Sequence, residues 1–300
     1  MSLAEQRTSS DPVTPAGRPA WARVLSRVYY PVQLAAIVGL AWAAIALDWD
    51  FGVVSGSFLV GILGSLLLLE RLIPYDRDWQ PNPQEWRFYG VYFVLTVAAS
   101  SASQIPVMAV FGYFTPPEPF LPLGVEIVLA GLVGSLANYA WHRWSHTNLV
   151  LWRLHGVHHV PDKVNVANNG VNHVFDVLLT QFSVQFVLTL CGFSEPSVFA
   201  VGLFVMAQGY FVHANVDVKL GRINYVFSGP EQHRLHHSTN LKQAGHFGSD
   251  LSIWDLLFRS FTWRPGLAPQ AVGLSNPKSF PTSDRIVSSM VHPLSRSWHV

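Results

Sequence analysis

Cysteine is almost absent: Cys191 is the sole thiol in 300 residues. One thiol closes no disulfide within the chain and builds no thiolate zinc site. Inside its apolar run, Cys191 is expected to be a buried small hydrophobe. Charge is equally scarce. Asp, Glu, Lys and Arg together make up 12% of the chain, against roughly 25% in soluble globular proteins, so water is not the only solvent of this surface. The formal net charge of +1 gives no electrostatic basis for a nucleic-acid partner. No secretory signal is expected, because the first apolar run starts too late and is too long for one. Residues 1–22 are polar and rich in Pro, Ser and Thr, and read as a disordered tail.

Half of the residues are hydrophobic and the mean hydropathy is +0.27. The apolar residues are gathered into runs: Tyr29 to Leu47, Phe51 to Leu69, Phe88 to Pro117 and Leu121 to Trp141. Each approaches or exceeds the ~20 residues needed to cross a bilayer as a helix. Pro106 is expected to kink or end the third run. Glu126, inside the fourth, is expected to line a cavity or to sit at the interface. A further stretch, 177–212, is long enough for an apolar helical hairpin around Phe193-Ser194-Glu195-Pro196, either spanning or re-entrant. The expected fold is therefore all-α and integral to the membrane: about four transmembrane helices within 23–141, then a metal-binding catalytic region at 142–262 that includes the hairpin. A loosely structured tail follows at 263–300, with His292 and His299 as ordinary surface residues.

Arginines orient the runs. Arg7, Arg18, Arg23 and Arg27 precede the first, and Arg71, Arg77 and Arg87 separate the second from the third, whereas the short connections Asp48–Asp50 and Pro116–Pro119 hold no Lys or Arg. The excess of positive residues belongs on the cytoplasmic side. Both termini, and the region after the fourth run with Arg143, Arg153 and Lys163, are expected there.

All histidines except His292 and His299 fall between positions 142 and 246. His142 and His146 are four apart and share one helix face. His155, His158 and His159 form one His-x-x-His-His copy, and His233, His236 and His237 form a second. Each copy could present its nitrogens to one point or to two adjacent points. Neutral imidazole is the commonest nitrogen ligand for first-row metals, and eight such nitrogens exceed the needs of one ion and suit two. Imidazole alone does not choose among iron, zinc, copper and nickel. Histidine beside membrane runs is costly unless it serves a site.

The ordered set His142-x3-His146, Leu151-Trp152-Arg153-Leu154-His155-x2-His158-His159, His213-x-Asn215 and Pro230-x2-His233-x2-His236-His237 resembles the fatty acid hydroxylase and sterol desaturase superfamily of membrane di-iron enzymes. Phe247-Gly248 through Trp254-Asp255-x-Leu257-Phe258 fits as well, so the likeness covers roughly Asn138 to Thr262. It implies that the eight clustered histidines are iron ligands and that His213 is a ninth. It also implies a cytosolic helical cap and a non-haem centre of two Fe ions that uses O2 to hydroxylate or desaturate a lipid-like substrate, a fatty acyl chain, a sterol or a relative. The chain departs from the pattern in places. Val171-Asn172-His173-Val174 stands where Arg-x-His-Pro is common, His246-Phe247-Gly248 where Asn-Tyr-Gly is common, and Phe258-Arg259-Ser260 where Phe-Gly-Thr is common. His173 and His246 are each either an extra ligand or a local hydrogen-bonding residue. Asp255 either receives an N–H from a ligand histidine or caps a helix.

Two other readings compete. A membrane zinc hydrolase would need a general base such as the Glu of His-Glu-x-x-His, which is missing. A divalent-metal transporter would place its ligands near the bilayer midplane, whereas these clusters follow the runs. No haem-binding carrier region follows Thr262, so electrons are expected from a separate donor, a reductase with a ferredoxin or cytochrome-type carrier. Membrane lipids and a lipid-like substrate are the other expected partners.

Overall fold

A computed structural model describes residues 17–295. Ten α-helices lie along this stretch: α1 (Ala20–Ala46), α2 (Phe51–Leu72), α3 (Pro83–Phe114), α4 (Leu123–Thr147), α5 (Leu149–His155), α6 (Val174–Leu190), α7 (Glu195–His213), α8 (Pro230–His236), α9 (Ile253–Leu257) and α10 (Ile286–Val291). Among the described residues there is no strand, only isolated bridges such as Pro74 to Val216. The all-α expectation holds. Residues 1–16 of the tail expected at 1–22 lie outside the described residues, and α1 already begins at Ala20.

Five helices are long and apolar enough to cross a membrane: α1, α2, α3 as far as Ala109, α4 and α7. In the best windows of the first four, only 22–28% of residues are buried inside the protein. Val60, Trp42 and Ile105 are more than 70% exposed. Outward apolar surface on this scale is stable when lipid covers it. The hairpin expected at 177–212 is unequal. α7 qualifies as a span, but α6 has 17 residues, about 25 Å of helix at 1.5 Å per residue, short of the ~30 Å hydrocarbon core.

Local chemistry sets the boundaries. Asp50 caps α2 by accepting from Val53 N at 2.8 Å, one of the N–H groups a helix start leaves unpaired. Asn82 and Glu85 cap α3 reciprocally: Asn82 Oδ1 accepts from Glu85 N while Glu85 Oε2 accepts from Asn82 N. Pro106 does not end α3, which runs through it to Phe114. Glu126 neither lines a cavity nor lies at an open interface. It is buried, and its carboxylate collects the N–H groups of Phe120, Leu121 and Ser194, tying the α3–α4 and α6–α7 turns together.

α6 lies against α3 and α4, and α7 lies against α1, α2 and α4, so α7 is the most enclosed span. Cys191 is exposed, contrary to the expectation of burial. It follows the last turn of α6 beside exposed Leu190. The segment after Arg264 has little regular structure yet is not detached. Its Leu274 and Phe280 are buried with Tyr89, Tyr92, Val157 and Val171, and Gly273 N donates to His237 O at 2.8 Å. His292 is half-buried against the Phe280 ring at 4.9 Å, not an ordinary surface residue; His299 lies outside the described residues.

Candidate metal centre

Four chain segments meet at one end of the helical bundle. The last two turns of α4 carry His142 and His146. α5 ends on His155, and a 3-10 turn at 156–159 carries His158 and His159. α7 ends on His213. α8 has only seven residues, starts on Pro230 and carries His233 and His236, with His237 as its C-cap. Gln232 fixes its first turn by accepting from Gly229 N at 2.6 Å.

The nine histidines form two groups, in each of which the ligand nitrogens lie within 4.8 Å of one another. His142, His146, His155, His159 and His236 form one; His158, His213, His233 and His237 form the other. Each His-x-x-His-His copy is thus divided. Its first and last histidines, one helical turn apart, enter one group and the middle one enters the other. The groups abut, with the His159 and His237 rings stacked at 4.2 Å. Neither group includes a carboxylate or a thiolate.

Hydrogen bonds on the far side of the rings orient them. Nδ1–H of His142 donates to Phe247 O at 2.6 Å, that of His213 to Asn165 O at 2.9 Å and that of His236 to Gly245 O at 3.0 Å. His158 donates to Val171 O at 3.3 Å. His155 donates to the Asp176 carboxylate at 2.9 Å. Each partner is purely an acceptor, so the proton sits on Nδ1 and the Nε2 lone pair is left to face inward. The Nε2 atoms of His146, His159, His213 and His236 are buried with no hydrogen-bond partner. Buried polar atoms rarely go unmatched without a reason. A first-row metal ion would supply one here: these donors fit it, and all-nitrogen sets do not suit magnesium or calcium.

Electrostatics agree. Burial, and then the neighbouring imidazoles, hold His158, His159, His233 and His237 well below the ordinary value of 6.5. Burial lowers His236 to about 3. The rings are therefore neutral at physiological pH, the form that binds metal.

The remaining candidates lie outside both groups. His173 accepts from Phe175 N at Nδ1 and donates from Nε2 to Met290 O at 3.0 Å, which commits both nitrogens. Nε2 of His246 accepts from Thr262 N and Trp263 N, leaving it no lone pair for a metal. Asn215 pairs through its side chain with the Asp76 backbone. Asp255 neither meets a ligand histidine nor caps a helix. It accepts from Phe247 N, Gly248 N and Ser260 Oγ, and so holds the loop whose Phe247 carbonyl orients His142.

Sequence reasoning missed Asp176. It is a carboxylate at the start of an apolar helix, and that placement was the available signal. The backbone carbonyls that orient four of the rings carry no sequence signal, because every residue has one.

A polytopic helical protein whose nine histidines converge into two adjoining, buried, metal-sized sites is the class that fold and site define. Residues 127–260 match the family model for fatty acid hydroxylase. An ornithine lipid hydroxylase from Rhizobium tropici is 29% identical over 225 residues, covering 70% of this chain and 67% of that protein. Alkylglycerol monooxygenases from Danio rerio and Homo sapiens are 28% and 29% identical over 169 and 127 residues. These alignments take in 55% and 41% of this chain, and 33% and 28% of those proteins, so the chain spans about a third of their length. No solved structure matches.

Proposed function

We propose that this protein is a membrane non-haem di-iron oxygenase that hydroxylates a lipid-like substrate. The observation that carries the reading is the inward convergence of nine imidazoles, seven of them buried and four with unmatched Nε2 atoms. His142, His146, His155, His159 and His236 would hold one iron, and His158, His213, His233 and His237 the other. Bound iron would supply the redox chemistry that turns O2 on an unactivated C–H bond. The ligand sets differ by one imidazole, so the four-histidine set would hold its ion with fewer protein donors. The fold supplies placement and dryness. Rings fixed from behind by carbonyls and by Asp176 cannot swing away, and the buried cage excludes bulk water.

Hydroxylation is favoured over desaturation because the relatives are named a hydroxylase and monooxygenases. The balance is one C–H bond, O2, two electrons and two protons giving C–OH and water. The electrons come from a separate reductase and carrier. The metal cap lies at the bundle end where α1 begins and α2 finishes, the end rich in arginine, and the positive-inside rule supports a cytoplasmic side for it. A lipid would then reach the metals sideways from the bilayer.

The test is metal analysis of purified protein together with lipid mass spectrometry, under labelled oxygen, of cells with and without it. Iron in the protein and one labelled oxygen atom in a lipid product are expected. Protein that holds no iron, and cannot be reconstituted with Fe(II), would sink the reading.

A further inference from the structure

Glu70, near the end of α2, is 1% exposed, and the chemistry above does not use it. Its Oε1 accepts two backbone N–H groups, from Val166 at 2.8 Å and from Asn215 at 2.7 Å. The Val166 N–H belongs to the same peptide unit as the Asn165 carbonyl, and that carbonyl accepts from His213 Nδ1 at 2.9 Å. One peptide group is therefore held at both ends, by a carboxylate at its N–H and by an imidazole at its C=O.

In its ionised form Glu70 places a negative charge at the N–H of this amide and pushes electron density toward its oxygen, and linked hydrogen bonds strengthen one another in this way. The Asn165 oxygen becomes a better acceptor for Nδ1–H of His213, which makes the opposite Nε2 more basic. That Nε2 is one of the buried, unmatched nitrogens. The peptide is not free to turn. Asn165 and Asn168 exchange side-chain to backbone hydrogen bonds at 3.0 Å each, and Asn165 Nδ2 donates to Trp79 O. On the other side, Asn215 N ties the residue two positions beyond His213 to the same carboxylate oxygen.

We infer that Glu70 is a positioning residue for the four-histidine group, a carboxylate that acts on His213 through a single polarised peptide. Its counterpart is Asp176, which acts on His155 of the five-histidine group by direct contact at 2.9 Å. Each group then has one carboxylate behind one imidazole. Carboxylates placed directly behind ligand histidines raise ligand basicity and fix the tautomer; Glu70 does so at one remove. The inference rests on the metalloenzyme reading above.

Full-length protein in lipid nanodiscs, stripped of metal and titrated with Co(II), separates charge from shape. Glu70→Gln keeps an oxygen that can accept both amides and removes the charge, whereas Glu70→Ala removes both. Wild type should take up two Co(II). In E70Q the affinity for one of them should fall about tenfold, the low end of the loss for direct partners, and the visible Co(II) bands of that site should shift. Hydrogen exchange at Val166 N–H should stay as slow as in wild type. In a His213→Ala background, E70Q should change nothing further. D176N should weaken the other Co(II) instead. If wild type binds two Co(II) and E70Q binds both equally well, Glu70 serves only to satisfy two amides and the inference falls. If wild type itself binds none, the metalloenzyme reading falls with it.

Discussion

The Nε2 atoms of His142 and His155 face each other at 3.1 Å, while the Nδ1–H of each ring is committed to an acceptor, Phe247 O and the Asp176 carboxylate. Two lone pairs at that distance repel unless a cation lies against both. The arrangement thus asks for a metal, and because the nine rings divide into separate groups, the metals should be removable one at a time. His142→Ala with His155→Ala should leave the four-histidine site loaded, and His233→Ala with His237→Ala should leave the five-histidine site loaded. Each double variant should hold about half the wild-type metal by mass spectrometric analysis, with turnover lost in both. Loss of all metal from either double variant would show that the groups do not bind independently.

Asp176 fixes the direction of His155 from behind. Asp176→Asn keeps the size of the side chain and replaces a charged acceptor with a neutral amide. Metal affinity at the five-histidine group should fall about 10–100-fold, as it does where such partners are removed from other metal sites. The protein should remain folded. A competition assay with a coloured chelator reads the change, and an unchanged affinity would mean that the carboxylate is incidental.

The pH response has a definite sign. Burial lowers His236 from 6.5 to about 3. Between those values the unfolded chain holds a proton that the folded chain refuses, so stability falls as pH falls through that window. Above about 6.5 this group contributes no slope. Protons also compete with metal for the same nitrogens, so bound metal should be lost in the same direction. The unfolding midpoint and the metal content should both hold steady at neutral pH and decline together on acidification below 6.5. A protein that gained stability in acid would contradict the burial of these rings.

Much of this was legible in the sequence because the bilayer imposes a simple rule. A backbone in hydrocarbon must satisfy its own hydrogen bonds, so apolar runs of about 20 residues read directly as helices. The first four runs became α1 to α4 on that ground. Histidine spacing likewise pointed to His142 with His146. The division of each His-x-x-His-His copy between two groups was not legible as such, although its cause is local. Adjacent residues in a helical turn point roughly 100° apart, so His158 cannot follow His159 and His236 cannot follow His237. Burial of Cys191 was misjudged because the habit of apolar side chains to face inward belongs to proteins in water. The fate of His173 and His246 depended on backbone groups more than 15 residues away, beyond what local pattern carries.

The segment after Arg264 gives a last test, because its packing rests on one glycine. A Cβ built on Gly156 would clash with the Cζ edge of the Phe280 ring, which is buried beside Tyr89, Tyr92 and Val157. Gly156 follows His155 directly, so the C-terminal segment is seated against the turn that carries His158 and His159. Gly156→Ala should push Phe280 out at a cost of about 1–3 kcal/mol, the usual range for overpacking a filled core. The first consequence should be local release of residues 271–292, read as faster proteolysis there at temperatures where the helical bundle is intact. Phe280→Ala in the same chain should make room for the added methyl group, so the double variant should be less destabilised than the sum of the two single changes. Strict additivity would mean that Gly156 and Phe280 do not press on one another and that the C-terminal segment is held elsewhere.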